Sequence, residues 1–235
     1  MKVMIAAPAY GGMVTAQFSN SLHRTTSALK DRGIAYEVVF ITGESLIQRA
    51  RNSLATDALN DPTIDRLFFI DVDLSWTPQQ FIDVVTSRRR VVGGTYPVKG
   101  FPIRMNFNYL PSEQEFSGYS KAEFAAFAKA RADENNEVQV KHIPTGFMCI
   151  HRVVLEELSG KAGHYQVKRP ATGEIEKQYN LFPVEMRDGQ LLSEDWMFCQ
   201  LCADNGIPIF LNVAANLPHT GSFTFDPAAA PPVTE

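Results

Sequence analysis

The sequence has few cysteines, no long apolar segment and no excess of positive charge. Three cysteines among 235 residues are too few for a disulfide-stabilised secreted scaffold, so we expect a reduced, cytoplasmic protein. No stretch approaches the roughly 20 apolar residues that cross a bilayer, and the first residues lack a signal-peptide pattern, so no membrane partner is expected. Lysine and arginine number 22 against 26 acidic residues, which argues against a general affinity for duplex nucleic acid.

Common nucleotide and zinc motifs are absent as well. The segment from Pro8 to Gly12 contains neither G-x-G-x-x-G nor G-x-x-x-x-G-K-[ST], which leaves a dinucleotide loop and a P-loop unsupported. Cys199 and Cys202 are spaced as C-x-x-C inside a predicted helix, but a structural zinc site needs a second pair of ligands. We interpret these two cysteines as packing residues.

The first hundred residues alternate short apolar runs with amphipathic helical patterns. Strands are predicted at 3–7, 35–41, 66–70 and 91–94. Thr77, Pro78 and Gln80 form a capping-box start for one of the intervening helices. This alternation is typical of a parallel sheet with helices on both faces. We therefore predict an α/β fold with a mostly parallel central sheet flanked by helices.

The second half of the chain is less regular. Its predicted elements are a half-exposed strand at 103–109, a helix at 120–131, strands at 138–143 and 147–151, a hairpin or loop over 164–186, a helix after Ser193 and a last strand at 207–211. We expect one domain over residues 1–225 and a disordered tail at 226–235, where Pro and Ala offer little to pack.

Asp71-Val72-Asp73 follows the apolar strand at 66–70 directly. Ligands of open α/β sheets bind outside the carboxyl ends of the strands. Two carboxylates one residue apart repel each other unless a positive charge lies between them, and Mg²⁺ or Mn²⁺ supplies such a charge. The alternative is a solvated turn, in which Asp is common.

Two further motifs occur late in the chain. Ser193-Glu194-Asp195 begins a predicted helix, where acids also simply complement the helix dipole. Its functional alternative is a general base at the rim of a cleft, with Asp195 or Glu194 accepting a proton from a hydroxyl. His219, among small residues in a loop, is either a metal ligand or an inert surface histidine.

The order of these pieces resembles the GT-A fold glycosyltransferases over roughly residues 2–225. The matching segments are Pro8-Ala9-Tyr10 after the first strand, Arg49, Arg51 and Asn52 on the second helix, Asp71-Val72-Asp73 as a D-x-D motif, the turn Thr145-Gly146-Phe147, Ser193-Glu194-Asp195 as an x-E-D element, and His219. The resemblance implies a Rossmann-like GT-A fold, with a nucleotide-sugar-binding half at 1–100 and a more irregular acceptor half at 101–225.

The same resemblance implies a site and a reaction. A nucleoside-diphosphate sugar is the implied donor, with Mn²⁺ or Mg²⁺ held by Asp71, Asp73 and His219. The implied donor-binding residues are Pro8, Ala9, Tyr10, Arg49, Asn52, Asp71 and Val72. Asp195, with Glu194 beside it, is the implied base that deprotonates the acceptor hydroxyl and gives inversion at the sugar.

The acceptor and several alternatives stay open at this point. Relatives of this short type, which include viral and bacterial enzymes, act on glycans, on proteins or on hydroxymethylated DNA bases; a viral protein would work in the host cytoplasm. Arg88 to Arg90, Lys99, Arg104 and Lys168 would have to line one face for DNA. A nucleotidyltransferase, a nucleotide-sugar hydrolase and a non-catalytic nucleotide-sugar-binding module are the alternatives. The oligomeric state is open too.

Overall fold

The structure, a computed structural model, describes residues 1–109, 119–168 and 173–221. Within these ranges it contains eleven β-strands and six α-helices. The strands are β1 (Lys2–Pro8), β2 (Ala35–Ile41), β3 (Arg66–Ile70), β4 (Val91–Thr95), β5 (Glu137–Val140), β6 (Phe147–His151), β7 (His164–Lys168), β8 (Ile175–Tyr179), β9 (Glu185–Arg187), β10 (Gln190–Leu192) and β11 (Ile209–Asn216). The helices are α1 (Ala16–Asp31), α2 (Ile47–Asn60), α3 (Pro78–Val85), α4 (Lys121–Arg131), α5 (Arg152–Ser159) and α6 (Glu194–Asp204).

Seven of the described strands form one central sheet in the order β2-β1-β3-β6-β4-β11-β5. Parallel pairing joins β2 to β1, β1 to β3 and β4 to β11, whereas β6 runs antiparallel to both its neighbours and β5 runs antiparallel to β11. Five of the seven strands therefore point the same way. The prediction of an α/β fold with a mostly parallel sheet is confirmed, and strands from both halves of the chain share the sheet.

Helices cover both faces of this sheet, because its strands are apolar on both sides. In β3, Leu67 and Phe69 belong to a core with α2, α4, α5 and α6, while Phe68 and Ile70 belong to a second core with α1 and α3. Every residue of β3 is buried. A strand without an exposed side has to lie inside a three-layer arrangement.

Local capping signals position the helices that flank the sheet. Thr77 and Gln80 form the predicted capping box of α3, and Pro78 occupies its first turn. Ser193 is the N-cap residue of α6, as predicted, but its hydroxyl makes no capping hydrogen bond to the helix backbone. The hydroxyl donates a hydrogen bond to Asp195 Oδ1 instead.

The second half departs from the sequence-based predictions in several places. No strand forms at 103–109; this segment makes only isolated bridges through Met105 and Asn108. The last strand begins two residues later than predicted and extends to Asn216, and β9 and β10 form a hairpin that was not predicted. The predicted hairpin or loop over 164–186 contains the antiparallel pair β7–β8, and residues 169–172 between these strands lie outside the described residues.

The predicted tail and domain limits are not tested by the described residues. The disordered tail at 226–235 lies outside the described residues, and the domain limits stay a prediction. Among the helices of the described ranges, none has the length and apolar character needed to span a membrane.

Candidate functional site

A cavity of about 450 Å³ opens at the carboxyl edge of the central sheet, where β1, β3 and β4 end. It is lined by Pro8, Tyr10, Gly11, Met13, Ile47, Arg51, Asp71, Val72, Asp73, Tyr96, Thr145, Glu194 and Asp195. The two acidic motifs, separated by about 120 residues in sequence, thus face one space. Such an edge is the usual ligand position in α/β sheets.

The structure brings together most of the predicted site residues. Seven of them line the cavity: Pro8, Tyr10, Val72 and the four acids of the two motifs. Ala9, Arg49, Asn52 and His219 are not among the lining residues. His219 contacts Asp73. Arg49 pairs with Glu44, and Asn52 donates a hydrogen bond to Asn180.

Arg51 joins the two acidic motifs from the floor of the cavity. Its Nη2 lies 3.0 Å from Asp71 Oδ1, and its Nε lies 3.2 Å from Glu194 Oε1. The side chain is only 3% exposed, and burial alone would lower its pKa. The charges of Asp71 and Glu194 outweigh this effect and raise the pKa of Arg51, so the guanidinium stays charged. Its Nη1 is buried without a hydrogen-bond partner.

Asp73 makes a second cluster of charges with Lys99 and His219. The Lys99 ammonium forms a short ion pair with Asp73 Oδ2, and His219 Nε2 lies 3.4 Å from the same oxygen. Burial acts to raise the pKa of Asp73, but the hydrogen bonds from His219 and Lys99 lower it to about 2. Asp73 is therefore a carboxylate at neutral pH.

Backbone pairing holds His219 beside Asp73. Residues 73–75 run antiparallel to 218–220, with Thr220 N donating to Asp73 O at 2.8 Å. His219 Nδ1 lies 2.8 Å from the Pro97 carbonyl oxygen, which can only accept, so Nδ1 carries a proton. Burial acts to lower the pKa of His219, but its hydrogen bonds to Asp73 and to the Pro97 carbonyl raise it, which favours the imidazolium with Nε2–H directed at Asp73. When His219 is neutral, Nδ1 keeps its proton and the lone pair is on Nε2, the nitrogen that faces Asp73. This tautomer, fixed by a backbone carbonyl, is typical of metal-ligating histidines.

Asp195 lies at the first turn of α6 and lines the same cavity. Its Oδ1 accepts a short hydrogen bond from the Ser193 hydroxyl and a 2.8 Å bond from Trp196 N. Burial and then the charge of Glu194 raise the pKa of Asp195 to about 6, despite these hydrogen bonds. A carboxyl with this pKa is ionised at pH 7 and is a stronger base than an ordinary aspartate.

The turn before β6 closes the cavity between the two motifs. Gly146 donates its N–H to the Tyr96 hydroxyl at 3.2 Å, and its carbonyl accepts from Asp71 N at 2.9 Å. A Cβ at this position would lie 2.5 Å from Asp71 Oδ2 and closer still to the Tyr96 hydroxyl, so only glycine fits. The neighbouring Thr145 is buried, and its hydroxyl has no hydrogen-bond partner.

The loop after β1 forms the outer rim. Ala9 is buried and donates its N–H to the Ile41 carbonyl at 2.8 Å, which ties the loop to the end of β2. Tyr10, by contrast, is 66% exposed. Met13 and Ile47 are also exposed, so the rim presents apolar side chains to a ligand in the cavity.

Arg49 and Asn52 make contacts outside the cavity. Arg49 pairs with Glu44 at 2.6 Å near the start of α2. Asn52 is buried, donates to Asn180 Oδ1 at 3.1 Å and accepts from Phe182 N at 2.8 Å. It thereby attaches α2 to the segment that follows β8. Donor binding by Arg49 and Asn52 stays a prediction.

Six lining residues were not among the site residues predicted from the sequence: Gly11, Met13, Ile47, Arg51, Tyr96 and Thr145. Lys99, which pairs with Asp73 beside the cavity, was not among them either. For Arg51 a signal existed, because it shares a helical face with Ala50 and Leu54, both buried. That pattern places Arg51, rather than Arg49, towards the sheet. Lys99 had no comparable signal, since its contact with Asp73 depends on the path of an irregular segment.

The described residues contain no group of three His, Cys, Asp or Glu side chains arranged to hold a metal ion. The three-ligand set predicted from the sequence is therefore not assembled here. Asp73 and His219 converge, but Asp71 directs its Oδ1 to Arg51. Participation of Asp71 in metal binding stays a prediction.

Comparisons with known proteins identify the fold. No family model and no curated protein sequence matches the chain. Among solved structures, GalNAc-T7 with UDP, GalNAc and Mn²⁺ is similar over 99% of this chain, with a TM-score of 0.55 and 9% identity. The chain has a GT-A glycosyltransferase fold. It spans less than half of GalNAc-T7, since the similarity covers 45% of that chain.

Two further solved structures are similar to this GT-A chain at lower TM-scores. A197 from STIV is 17% identical over 93% of this chain and 81% of its own, with a TM-score of 0.47. A glycosyltransferase involved in glycosylation of the major capsid of PBCV-1 is 12% identical over 67% of this chain and 63% of its own, with a TM-score of 0.35.

Proposed function

We propose that this chain is a glycosyltransferase that moves a sugar from a nucleoside-diphosphate sugar to an acceptor hydroxyl. The observation that carries the proposal is the convergence of both acidic motifs on one cavity at the carboxyl edge of a GT-A sheet. GalNAc-T7, which has the same fold, was crystallised with UDP, GalNAc and Mn²⁺. We extend that class of donor and cation to this chain as part of the proposal.

The sugar of the donor is assigned to the Arg51 side of the cavity. Arg51 brings one positive charge against the carboxylates of Asp71, Glu194 and Asp195, so this side is net negative and disfavours a phosphate. It suits neutral hydroxyl groups instead. Arg51 Nη1 and Thr145 Oγ1 are both buried without partners, and a sugar hydroxyl would satisfy them.

The diphosphate is assigned to the Asp73 side, where Lys99 and His219 provide positive charge. Asp73 Oδ2 and His219 Nε2 also offer an oxygen and a nitrogen ligand 3.4 Å apart, a donor set that fits Mn²⁺ or Mg²⁺ completed by phosphate oxygens and water. When bound, such a cation would neutralise the diphosphate as it leaves. Tyr10, with the other apolar rim residues, would contact the nucleoside.

Asp195 is assigned as the base. It would accept the proton of the acceptor hydroxyl while the acceptor oxygen bonds to the anomeric carbon and the bond from that carbon to the diphosphate oxygen breaks. Attack from the face opposite the leaving group inverts the anomeric centre. Glu194, held by Arg51, would raise the basicity of Asp195 through its charge. It would also accept a hydrogen bond from a sugar hydroxyl. The raised pKa of Asp195 favours an enzyme over a binding module, which needs no base.

Thermal shift with UDP, GDP, CDP, ADP and TDP, each with and without Mn²⁺, tests the donor site. A ligand at 100 times its Kd stabilises a protein by about 2.7 kcal/mol, a shift of a few degrees in Tm. We expect one diphosphate to raise the Tm of the wild type only with Mn²⁺, and Asp73→Asn to lose this effect. The absence of any shift would contradict the proposal.

Product analysis then tests the transfer itself. The nucleotide sugar chosen by the binding assay is incubated with a glycan, a protein or a hydroxymethylated DNA acceptor, and the anomeric configuration of the product is read by NMR. Transfer with inversion supports Asp195 as base. Release of free sugar with every acceptor would favour the hydrolase alternative.

A further inference from the structure

We propose that Lys99 competes with the divalent cation for Asp73 and so sets how tightly the free protein binds metal. This inference rests on the cation site of the proposed function. It assigns Lys99 a positioning role: its ammonium neutralises Asp73 in the absence of ligand and is released towards the diphosphate when the donor binds.

The Lys99 ammonium and a metal ion held by Asp73 and His219 would contact the same oxygen of Asp73. Lys99 Nζ pairs with Asp73 Oδ2, and this oxygen is also the one that faces His219 Nε2. A metal ion bound between Asp73 and His219 would lie beside a positive ammonium. Since like charges at such a distance repel, the two cannot share the carboxylate without a cost in free energy.

Side-chain packing and a backbone hydrogen bond position Lys99 beside Asp73. Its stem packs over Gly221, where a Cβ would lie 3.3 Å from Lys99 Cδ. Val98 N donates to Arg104 O at 2.9 Å and closes the loop of residues 98–104 that carries the lysine. The preceding Pro97 carbonyl holds His219, so one short segment orients both partners of Asp73.

The side chain also has room to leave. Lys99 is 46% exposed, and its ammonium is a flexible point charge on a four-carbon stem. A diphosphate in the cavity carries more negative charge than one carboxylate, so it would attract the ammonium away from Asp73. Cation and diphosphate should therefore bind cooperatively in the wild type, and each should raise the affinity for the other by the same factor.

Mn²⁺ alone, measured by the EPR signal of the free ion, provides the test. We compare the wild type with Lys99→Met, which removes the charge and keeps the length of the stem. Lys30→Met is the control with the same change in net charge, at an exposed lysine in the last turn of α1. We expect Lys99→Met to bind Mn²⁺ about tenfold more tightly than the wild type, and Lys30→Met to match the wild type. Adding Asp73→Asn to Lys99→Met should abolish the gain.

Two outcomes would overturn the proposal. One is an equal or weaker affinity of Lys99→Met for Mn²⁺, including no binding by either protein. The other is a gain in Mn²⁺ affinity that persists when Asp73→Asn is added to Lys99→Met, because the gain would then not arise at Asp73.

A second measurement follows Lys99 itself. Acetylation of lysines by a water-soluble reagent, read by mass spectrometry, reports how accessible and reactive each lysine amino group is. We expect Mn²⁺ to increase the modification rate of Lys99 and to leave that of Lys30 unchanged; an unchanged Lys99 rate would contradict competition.

The two proposals fail separately. If a diphosphate binds with Mn²⁺ but Lys99→Met gains no affinity for the metal, only the role of Lys99 is wrong. If Lys99→Met gains affinity for Mn²⁺ but no diphosphate binds to any variant, the glycosyltransferase proposal is wrong and the competition stands.

Discussion

Arg51 and Asp71 form an ion pair of 3.0 Å between the middle of α2 and the end of β3, with the guanidinium almost fully buried. The same guanidinium reaches Glu194 at the start of α6. One arginine therefore connects the two acidic motifs, and removing it would leave two carboxylates facing each other without a counter-charge.

Arg51→Met is expected to destabilise the protein by about 3 kcal/mol, because breaking a buried ion pair leaves an uncompensated charge. Arg51→Lys should recover part of this loss, since a lysine keeps the charge but cannot bridge two carboxylates with planar geometry. Urea unfolding followed by circular dichroism measures both. Arg49→Met is the matched control: its exposed pair with Glu44 contributes at most about 1 kcal/mol. Equal losses at 49 and 51 would contradict a special role for Arg51.

Gly146→Ala tests the closure of the cavity by the turn before β6. The added methyl group would collide with Asp71 Oδ2 and the Tyr96 hydroxyl, so Asp71 must move and ligand binding should weaken at least tenfold. Isothermal titration with the corresponding nucleotide sugar measures the loss, because Asp71 lies on the side of the cavity assigned to the sugar. Gly163→Ala is the control, because a Cβ there meets nothing within 4 Å and no unusual backbone conformation is present. Unchanged binding in Gly146→Ala would show that Asp71 does not contact the ligand.

Asp195→Asn is expected to lower turnover by a factor of about 10² or more while donor binding is retained, because an amide cannot accept the proton. In the wild type, turnover should fall as the pH drops through about 6, since the protonated carboxyl is no longer a base. Glu194→Gln should shift this acidic limb of the pH–rate profile to lower pH, because the charge of Glu194 raises the pKa of Asp195. A pH–rate profile checks both, and a limb unaffected by Glu194→Gln would place the base elsewhere.

The raised pKa of Asp195 predicts how the stability of the folded protein depends on pH. The pKa of Asp195 is raised in the folded protein, so folding favours the protonated form. Above about pH 6 the ionised carboxylate reduces stability, and below the ordinary pKa near 3.8 this penalty is absent. Asp195→Asn should therefore be more stable relative to the wild type at pH 8 than at pH 4. Urea unfolding at the two pH values measures the difference; an equal difference at both would argue against the raised pKa.

His219→Ala should weaken Mn²⁺ binding by about 10-fold to 100-fold, because it removes a ligand whose tautomer Pro97 fixes. The EPR titration used for Lys99 applies here too. His23→Ala, at an exposed position in α1, is the control and should leave the titration unchanged. If both variants bind Mn²⁺ like the wild type, His219 is only a structural partner of Asp73.

Local signals in the sequence determined most of the secondary structure and the fold class. Strand β3 was predictable because four consecutive apolar residues, Leu67 to Ile70, end in a polar turn, and α3 because Thr77, Pro78 and Gln80 act within one turn. The acidic residues of the site were predictable for a related reason: they follow directly on a strand end or begin a helix, so their position at the edge of the sheet is inherited from a local element.

Only the tertiary structure decided which partners these acids have. The antiparallel insertion of β6 between β3 and β4 brings Gly146 and Thr145 beside Asp71, and strand direction depends on the path of a long connection rather than on apolar pattern. Lys99 reaches Asp73 through an irregular loop for the same reason. The sequence alone thus determined where negative charge accumulates in this protein, whereas long-range packing decided how that charge is balanced, because ion pairs depend on distances between segments that no local pattern encodes.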